Sequence, residues 1–175
     1  MNEAIRGHSA VSGLLRSAID SDRVAHAYAF VGPPGIGKKL TAKAFAQALL
    51  CSSHQSTSSG GRSSPGGCGL CPACRRVEAG AHPDCHLIVP DGQQIKIEQV
   101  RELARLASLR PYEGRLKVFI VDDAERMSLV TANALLKTLE EPPDRTVIIL
   151  VLSRARALPA TVLSRCQVVR FTPLK

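Results

Sequence analysis

The sequence predicts an α/β domain in which helices cover both faces of a parallel five-stranded sheet. Five short segments are apolar throughout and do not alternate between polar and apolar residues, which is typical of strands buried on both faces. These segments alternate with longer helical stretches, the order expected when helices connect parallel strands. At 175 residues, 45% of them hydrophobic, the chain has material for one domain with a sizeable core.

Each predicted strand is a short apolar run. The first, AYAFV, is stopped by Gly32 and Pro33, and the third, KVFIVDD, ends in two carboxylates. The fourth, TVIILVLS, is strongly apolar. The predicted strands are residues 27–31, 85–90, 117–123, 146–153 and 167–171.

Four further stretches have the apolar spacing or the Ala/Leu-rich composition of helices. In the third, Val100, Leu103 and Ala107 fall on one helical face. The fourth is stopped by Pro142 and Pro143, because proline cannot donate the backbone hydrogen bond that a continuing helix needs. The predicted helices are residues 9–19, 38–51, 97–109 and 128–141.

The chain is strongly basic, with a net charge of +8 and 23 lysines and arginines. Such an excess suits a polyanionic partner, either nucleic acid or an acidic protein, although a solvated basic surface has the same composition. No apolar run approaches the roughly 20 residues of a membrane helix, and the N-terminal residues do not resemble a signal peptide. We therefore expect a cytoplasmic protein without a membrane partner.

Residues 32–40, GPPGIGKKL, nearly match the phosphate-binding pattern G-x-x-x-x-G-K-[ST]. Gly32, Gly37 and Lys38 fit it, and Gly35 lies between them. In such a loop, backbone N–H groups and a helix N-terminus surround the phosphates while the lysine reaches the terminal ones. Lys39 stands where a hydroxyl should bind magnesium. An ammonium group has no lone pair to offer a cation, so metal binding is compromised.

An ATPase site of this kind also needs a strand that ends in Asp and is followed by a catalytic Glu. Here the third predicted strand ends in Asp122 and Asp123. Asp122 could hold magnesium through water. Asp123 is one methylene shorter than Glu, so a general base there would be drawn back from the attacking water. We expect ATP and magnesium to bind weakly or not at all, with little or no hydrolysis.

Four of the six cysteines are clustered, three of them at two-residue gaps. Four thiolates are the ligand set of a closed, structural zinc site, and clustered cysteines in a cytoplasmic chain indicate metal before disulfide. The Ser/Gly-rich stretch 52–67 is predicted to be a mobile loop that lets them meet. The predicted zinc ligands are Cys51, Cys68, Cys71 and Cys74.

Reduced thiols packed in a turn are the alternative to a zinc site. His54, His82 and His86 could also substitute as ligands, since imidazole is a common zinc ligand. Cys85 lies beside apolar residues and is predicted to be a small core residue.

Several segments together resemble the bacterial clamp-loader subunits of DNA polymerase III, which are AAA+ proteins, over nearly the whole chain. They are HAYAFVGPPGIGKK, the four-cysteine module, GAHPD (80–84), NALLKTLEEPP (133–143) and LSRC (163–166). The resemblance implies a RecA-like phosphate-loop domain over residues 1–175 with a zinc module inserted at 51–74. Family members continue into a helical lid and a collar, so we expect this chain to be an N-terminal domain without them.

Within the family, the gamma/tau motor subunits keep Ser or Thr after the loop lysine and Glu after the strand Asp. Lys39 and Asp123 depart from that pattern and resemble the delta-prime branch, a stator-like subunit with a degenerate nucleotide site. The resemblance implies that Arg165 of the Ser-Arg-Cys motif reaches a neighbouring subunit's ATP, that Cys166 packs, and that Ser153 lies near the polar sensor position.

The resemblance also implies partners and a location. The partners are the gamma/tau and delta subunits, with the sliding clamp and primed DNA reached through the complex. The location is the replisome in the cytoplasm, at the nucleoid. The chain would thus be a subunit of a DNA polymerase holoenzyme that helps to load the clamp during DNA replication.

Two other functions stay open. A gamma/tau-type motor would be recognised by nucleotide turnover. A zinc-dependent DNA-binding module would need a basic surface with an aromatic residue near the cysteines, where Arg75 and Arg76 have no aromatic neighbour in the sequence. Arg101 and Arg105 are better candidates for phosphate contacts, but the glutamates between them are more typical of an ion-pair face.

Overall fold

A computed structural model describes residues 8–55 and 66–173, and within these it contains one parallel sheet. Its strands are β1 (Ala27–Val31), β2 (Cys85–Ile88), β3 (Lys117–Val121), β4 (Thr146–Leu152) and β5 (Gln167–Arg170). They are ordered β2-β3-β4-β1-β5, and every neighbouring pair is parallel. The predicted α/β class and the five-stranded parallel sheet are confirmed.

Four strands end earlier than predicted, and β5 stops one residue before its predicted end at Phe171. Strand β2 stops two residues before the predicted end, where Pro90 lacks the N–H that sheet pairing requires. Strand β3 stops before its two aspartates because Asp123 adopts a left-handed conformation with φ of 48°, which turns the chain out of the sheet. Strand β4 ends one residue before Ser153.

The four predicted helices are present with ends shifted by one residue, and two short helices were not predicted. The second of these short helices is a single turn of four residues, and the first has eight residues in the cysteine-rich segment, too few for a clear periodicity. The helices are α1 (Ser9–Asp20), α2 (Lys38–Leu50), α3 (Pro72–Ala79), α4 (Ile97–Ser108), α5 (Leu129–Glu140) and α6 (Ala160–Leu163).

Successive strand residues point to opposite faces, so the sheet divides the core into two layers. On one face, Ala29 and Phe119 pack with buried residues of α4, α5 and α6. On the other face, Tyr28 and Phe30 pack with α1, α2 and α3, where Phe45 contacts Tyr28 edge to face at 5.2 Å between ring centroids. Among the described residues, no helix combines the length and apolarity that a membrane crossing requires.

The strand order brings the carboxyl ends of β3, β4 and β1 side by side. These three ends lead into Asp122, Ser153 and the glycine-rich loop 32–37, respectively. In an open parallel sheet, binding sites form at this edge because side chains from adjacent strand ends converge there. The topology therefore joins the predicted nucleotide residues in one place.

Asp84, immediately before β2, fixes the loop that precedes β3. Its side chain is fully buried, and its carboxylate accepts hydrogen bonds from the N–H groups of Tyr112 (2.6 Å), Glu113 (2.9 Å) and Gly114 (2.6 Å). Burial acts to raise the pKa of Asp84, but the three hydrogen bonds outweigh it and hold that pKa below its ordinary value.

Replacing Asp84 with Asn should lower the free energy of unfolding by about 3 kcal/mol, because three backbone N–H donors lose the charged acceptor that Asp84 provides. Urea unfolding followed by circular dichroism would measure the loss. Asp91→Asn is the matched control, since the Asp91 side chain is exposed and forms an ion pair with exposed Lys96. An equal loss in both variants would contradict this role for Asp84.

The lowered pKa of the Asp84 carboxyl group makes the fold more stable at neutral pH than at acidic pH. A folded-state pKa below the ordinary 3.8 stabilises the fold above that pH, and the contribution disappears as the pH falls through the folded-state pKa. The stability difference between the wild-type protein and Asp84→Asn should therefore be constant above about pH 5 and shrink below pH 4. Urea titrations at several pH values would test it.

Candidate functional site

The loop between β1 and α2 requires glycine at both glycine positions of the phosphate-binding pattern and at Gly35 between them. Gly35 and Gly37 have φ angles of 76° and 97°, in the region that favours glycine. A side chain at Gly32 would place its first carbon 2.6 Å from the carbonyl oxygen of Phe171. The sequence pattern thus corresponds to a real backbone cradle at the start of α2.

Lys38, the phosphate-reaching residue of the pattern, is bonded to the loop itself. Only 7% of Lys38 is exposed, and its Nζ donates to the carbonyl oxygens of Gly32 (2.6 Å) and Pro33 (2.7 Å). Burial lowers the pKa of Lys38, while the carboxylates of Asp122 and Glu125 oppose the shift. The ammonium group would have to leave both carbonyls to reach a phosphate.

Lys39 forms an ion pair with Asp122, with 2.8 Å between Nζ and Oδ2. In phosphate-loop enzymes, magnesium is held between the loop hydroxyl and the strand-end aspartate, and Lys39 and Asp122 occupy those two positions. Thr41 does not supply a hydroxyl, since its Oγ1 donates to the carbonyl of Gly37 at 3.0 Å. The Lys39 cation therefore replaces one of the two metal-binding groups and contacts the other, Asp122.

Ser153, at the end of β4, is held by a residue that the sequence analysis missed. Its Oγ donates to Glu125 Oε1 at 2.6 Å, and its N–H contacts the same oxygen at 3.2 Å. The other carboxylate oxygen of Glu125 is buried without a hydrogen-bond partner among the described residues. In the sequence, the acidic character of Glu125 and its position three residues after Asp122 could have marked it as a site residue. Only the fold shows that its carboxylate reaches the end of β4.

These groups surround a cavity of about 310 Å³ between the loop, the end of β3 and the end of β4. Two ammonium groups and three carboxylates line it, the latter from Asp122, Asp123 and Glu125. The side chain of Asp123 is about half exposed and lies 3.9 Å from Arg126. Because the carboxylates outnumber the lysines, the cavity is electrostatically poor for a polyphosphate.

The four predicted cysteine ligands come together. Their sulfur atoms all lie within 4.8 Å of one another, with 3.9 Å between Cys51 and Cys71 and 4.0 Å between Cys68 and Cys74. A tetrahedral zinc ion with Zn–S bonds of about 2.3 Å separates its sulfurs by about 3.8 Å. The spacing therefore fits one tetrahedral metal ion.

The surroundings favour ionised sulfur at two of these positions. Hydrogen bonds, first from Ser53, lower the pKa of Cys68. Burial acts to raise the pKa of Cys71, but hydrogen bonds from Ser52 and from the N–H of Cys74 outweigh it and lower that pKa to about 5. Burial raises the pKa of Cys74, so its proton would be displaced by the metal, as happens to thiols that coordinate a cation.

The other cysteines and two of the histidines lie outside this cluster. Cys85 and Cys166 are partly buried, and burial raises the pKa of each to about 11. His82 accepts a hydrogen bond from the N–H of Asp84 at 3.0 Å, and His86 stacks on Phe119. The side chain of His54 lies outside the described residues. The cysteine-only ligand set is therefore the one that the geometry supports.

Arg165 lies between α6 and β5 and is bound to its own domain. Its guanidinium donates to the carbonyl of Thr161 at 2.7 Å and pairs with Glu140 at 2.8 Å. Cys166 packs against the core and contacts the carbonyl of Val162 at 3.4 Å. Glu140 was not predicted as a site residue, although NALLKTLEEPP and LSRC were both singled out. The fold shows that these two segments meet.

Comparison with known proteins identifies the family. The family model described as "DNA polymerase III, delta subunit" matches residues 7–175. This chain belongs to that family. It is 38% identical to DNA polymerase III subunit delta' of Bacillus subtilis over 165 residues, and 39% identical to the Pseudomonas aeruginosa subunit delta' over 144 residues. The expected resemblance to the delta-prime branch is confirmed.

The chain covers only part of these relatives. It spans 47% of the Bacillus subtilis subunit and 42% of the Pseudomonas aeruginosa subunit, and 94% and 81% of this chain is matched. It is also 35% identical to subunit tau of Escherichia coli over 160 residues, which is 91% of this chain and 24% of tau. The chain therefore spans less than half the length of each of these relatives.

Two solved structures have a similar fold. A DNA polymerase III gamma subunit-related protein from Thermotoga maritima superposes with a TM-score of 0.61 at 23% identity, covering 92% of this chain and 46% of that one. The Thermotoga maritima RuvB branch migration motor gives 0.54 at 17% identity, covering 94% and 45%. At these identities the likeness concerns the fold alone.

We expect one zinc ion per chain. Cys71→Ser should abolish binding, since a tetrahedral site loses a ligand, and should loosen α3, whose N-terminus Cys71 caps. Elemental analysis of purified protein would give the stoichiometry. Cys85→Ser is the matched control and should retain the metal. A reduced, metal-free protein of unchanged stability would argue against the site.

Proposed function

We propose that residues 1–175 form the AAA+ domain of a delta-prime-type clamp-loader subunit, with the zinc module 51–74 inserted in it. The subunit has little or no ATPase activity of its own and helps to load the sliding clamp onto primed DNA. Membership of the family supports the loader role. The observation that supports the lack of ATPase activity is the ion pair between Lys39 and Asp122.

The ion pair argues against turnover on two grounds. Lys39 removes the hydroxyl that would bind magnesium, and its charge engages the aspartate that would hold the metal from the other side. Lys38 donates hydrogen bonds to two loop carbonyls. A phosphate would have to compete with these hydrogen bonds for the Lys38 ammonium group. A motor subunit of the gamma/tau type needs both groups free, because the metal neutralises charge that develops during phosphoryl transfer.

The unmodified domain should therefore show no useful ATPase activity, and magnesium should not strengthen any nucleotide binding. Lys39→Thr should restore a magnesium-dependent component, because it supplies the hydroxyl and frees Asp122. Titration of a fluorescent ATP analogue with and without magnesium would measure this. Lys43→Thr, one turn along α2, is the control and should bind like the wild-type protein.

Turnover is a separate question from binding. Lys39→Thr combined with Asp123→Glu restores both the metal ligand and the length of the general base. Inactivity of this double variant would indicate that further parts, such as the lid, are missing. Brisk ATP hydrolysis by the unmodified complete subunit alone would instead support the motor alternative.

The proposal gives Arg165 a role in a neighbouring subunit's ATP site. A planar guanidinium spreads its charge over phosphate oxygens and stays protonated, which suits it to stabilise a transferring phosphoryl group. In the isolated chain the side chain is about one-third exposed and rests on Glu140. This contact supports a guanidinium held at the surface in a defined direction.

In the complete subunit, assembled with gamma/tau and delta subunits, Arg165→Ala should lower the DNA- and clamp-stimulated ATPase. An arginine finger is worth about 10³- to 10⁵-fold at its own site, but the overall loss should be smaller because several sites contribute. Arg165→Lys should rescue little, since an ammonium lacks the planar fork. Steady-state ATPase of reconstituted loaders would measure both effects.

Glu140→Gln tests whether the ion pair orients the arginine, and it should give an intermediate loss. Arg156→Ala, an exposed arginine of the neighbouring turn, is the control and should leave the rate unchanged. Wild-type rates and clamp loading with Arg165→Ala would show that this arginine is only a surface residue.

The remaining elements of the proposal concern assembly and location. The gamma/tau and delta subunits are the direct partners, and the clamp and primed DNA are reached through the complex, in the cytoplasm at the replisome. The exposed basic face of α4 does not favour a DNA-binding module, because Arg105 is paired with Glu102 at 2.7 Å. Zinc is proposed as a structural ion, since all four ligand positions are protein sulfurs.

A further inference from the structure

We propose that the cysteine site sets the position of an exposed loop on the other side of α3, through an ion pair between Arg76 and Glu113. The loop, called here the tyrosine loop, comprises residues 109–115 between α4 and β3. The inference rests on the proposed zinc binding. It assigns the metal a role beyond its own four ligands.

The tyrosine loop is unusual in what it exposes. Tyr112 is 82% exposed and Leu109 is 49% exposed, whereas each of the other five aromatic side chains of this chain is at most 2% exposed. Arg110 and Arg115 are also exposed. The sequence showed no aromatic residue near Arg75 and Arg76, but the fold brings Glu113, the residue that follows Tyr112, into contact with Arg76. Such an exposed loop needs interactions that hold its shape.

Two tethers hold the tyrosine loop. The first is Asp84, whose buried carboxylate accepts the three backbone N–H groups described above. The second is the side chain of Glu113, whose two oxygens receive Arg76 Nη1 at 3.1 Å and Arg76 Nη2. His82 Nε2 lies 3.3 Å from the same carboxylate. A two-pronged arginine–carboxylate contact fixes direction as well as distance, so the position of Arg76 determines the position of Glu113.

Arg76 in turn depends on the cysteines. It lies on α3, two residues after Cys74, and α3 has only eight residues, too few to be a stable helix by itself. The sulfur of Cys71 caps the helix by accepting the N–H of Cys74 at 3.4 Å. The side chain of Gln47 donates to the carbonyl of Cys74 at 3.1 Å, which joins α3 to α2. A metal held by Cys71 and Cys74 therefore fixes the first turn of α3, and with it Arg76.

The alternative is that Asp84 alone orders the tyrosine loop and that the metal acts only within the cysteine module. Asp84 immediately precedes β2, and within residues 8–55 and 66–173 its carboxylate forms no hydrogen bond with α3. The two tethers therefore respond differently. Cutting the Arg76 tether leaves Asp84 and all four cysteines unchanged.

Hydrogen exchange of the whole chain, measured by mass spectrometry with and without bound zinc, tests the inference. The reporters are the amides of Tyr112, Glu113 and Gly114. Removing zinc with a chelator under reducing conditions should speed their exchange roughly fivefold, the effect of losing one partly exposed ion pair. Amides of β4 serve as the internal reference for global opening and should change little.

Two neighbouring arginines provide a matched pair of variants. Arg76→Ala should keep one zinc per chain, exchange faster at residues 112–114 and lose the response to zinc removal. Arg75→Ala should keep both the metal and the response, since Arg75 is exposed and has no side-chain partner among the described residues.

The outcomes separate the two proposals. If zinc binds but its removal leaves residues 112–114 unchanged relative to β4, or if zinc-loaded Arg76→Ala exchanges like the wild-type protein, the coupling is wrong and the metal site stands. A chain that takes up no zinc by elemental analysis overturns the metal site and the coupling together.

Discussion

A parallel sheet must be covered on both faces, because each connection between parallel strands carries the chain across one of them. This domain satisfies that constraint with few aromatic residues, using Val, Ile, Leu and Ala in the strands and three helices on each side. The same constraint places the carboxyl ends of β3, β4 and β1 together. Every residue of the candidate nucleotide site is positioned by that edge.

This edge of the sheet retains the backbone conformation of a phosphate-binding loop, but its lysine side chains are paired with groups of the protein. The glycines keep the conformations that a phosphate loop needs, but the cations are engaged by the protein itself. Lys38 binds loop carbonyls and Lys39 binds Asp122. A motor subunit would use a removable divalent ion at this place. Lys39 is part of the chain and cannot dissociate, so its ion pair with Asp122 joins α2 to the end of β3 even without nucleotide or metal. This persistence supports the proposed function as a fixed, non-hydrolysing part of an assembly.

Ion pairs and buried carboxylates repeatedly join the segments that carried the family resemblance. Glu140 of NALLKTLEEPP binds Arg165 of LSRC, and Asp84 of GAHPD holds the loop before β3. His82 of the same GAHPD segment lies beside Glu113, which binds α3 of the cysteine module. These contacts link distant parts of the chain, and one of them holds the Arg165 guanidinium, for which a role in a neighbouring ATP site is proposed. Partly buried ionic contacts suit the task of holding a side chain in place because their geometry is directional.

The sequence by itself determined the α/β class, the five strands, the four longer helices, the glycine-rich loop and the cysteine quartet. These features are encoded locally, in residue periods of two or 3.6 and in fixed spacings. It did not reveal α3, whose eight residues are stabilised by a sulfur cap and by packing on α2. Only the tertiary structure decided which strands are neighbours, and therefore that Lys39 meets Asp122, that Glu125 meets Ser153 and that Arg76 meets Glu113. Each of these pairs joins residues at least 28 positions apart, and local periodicity reports only which face a residue occupies, not which element lies opposite it.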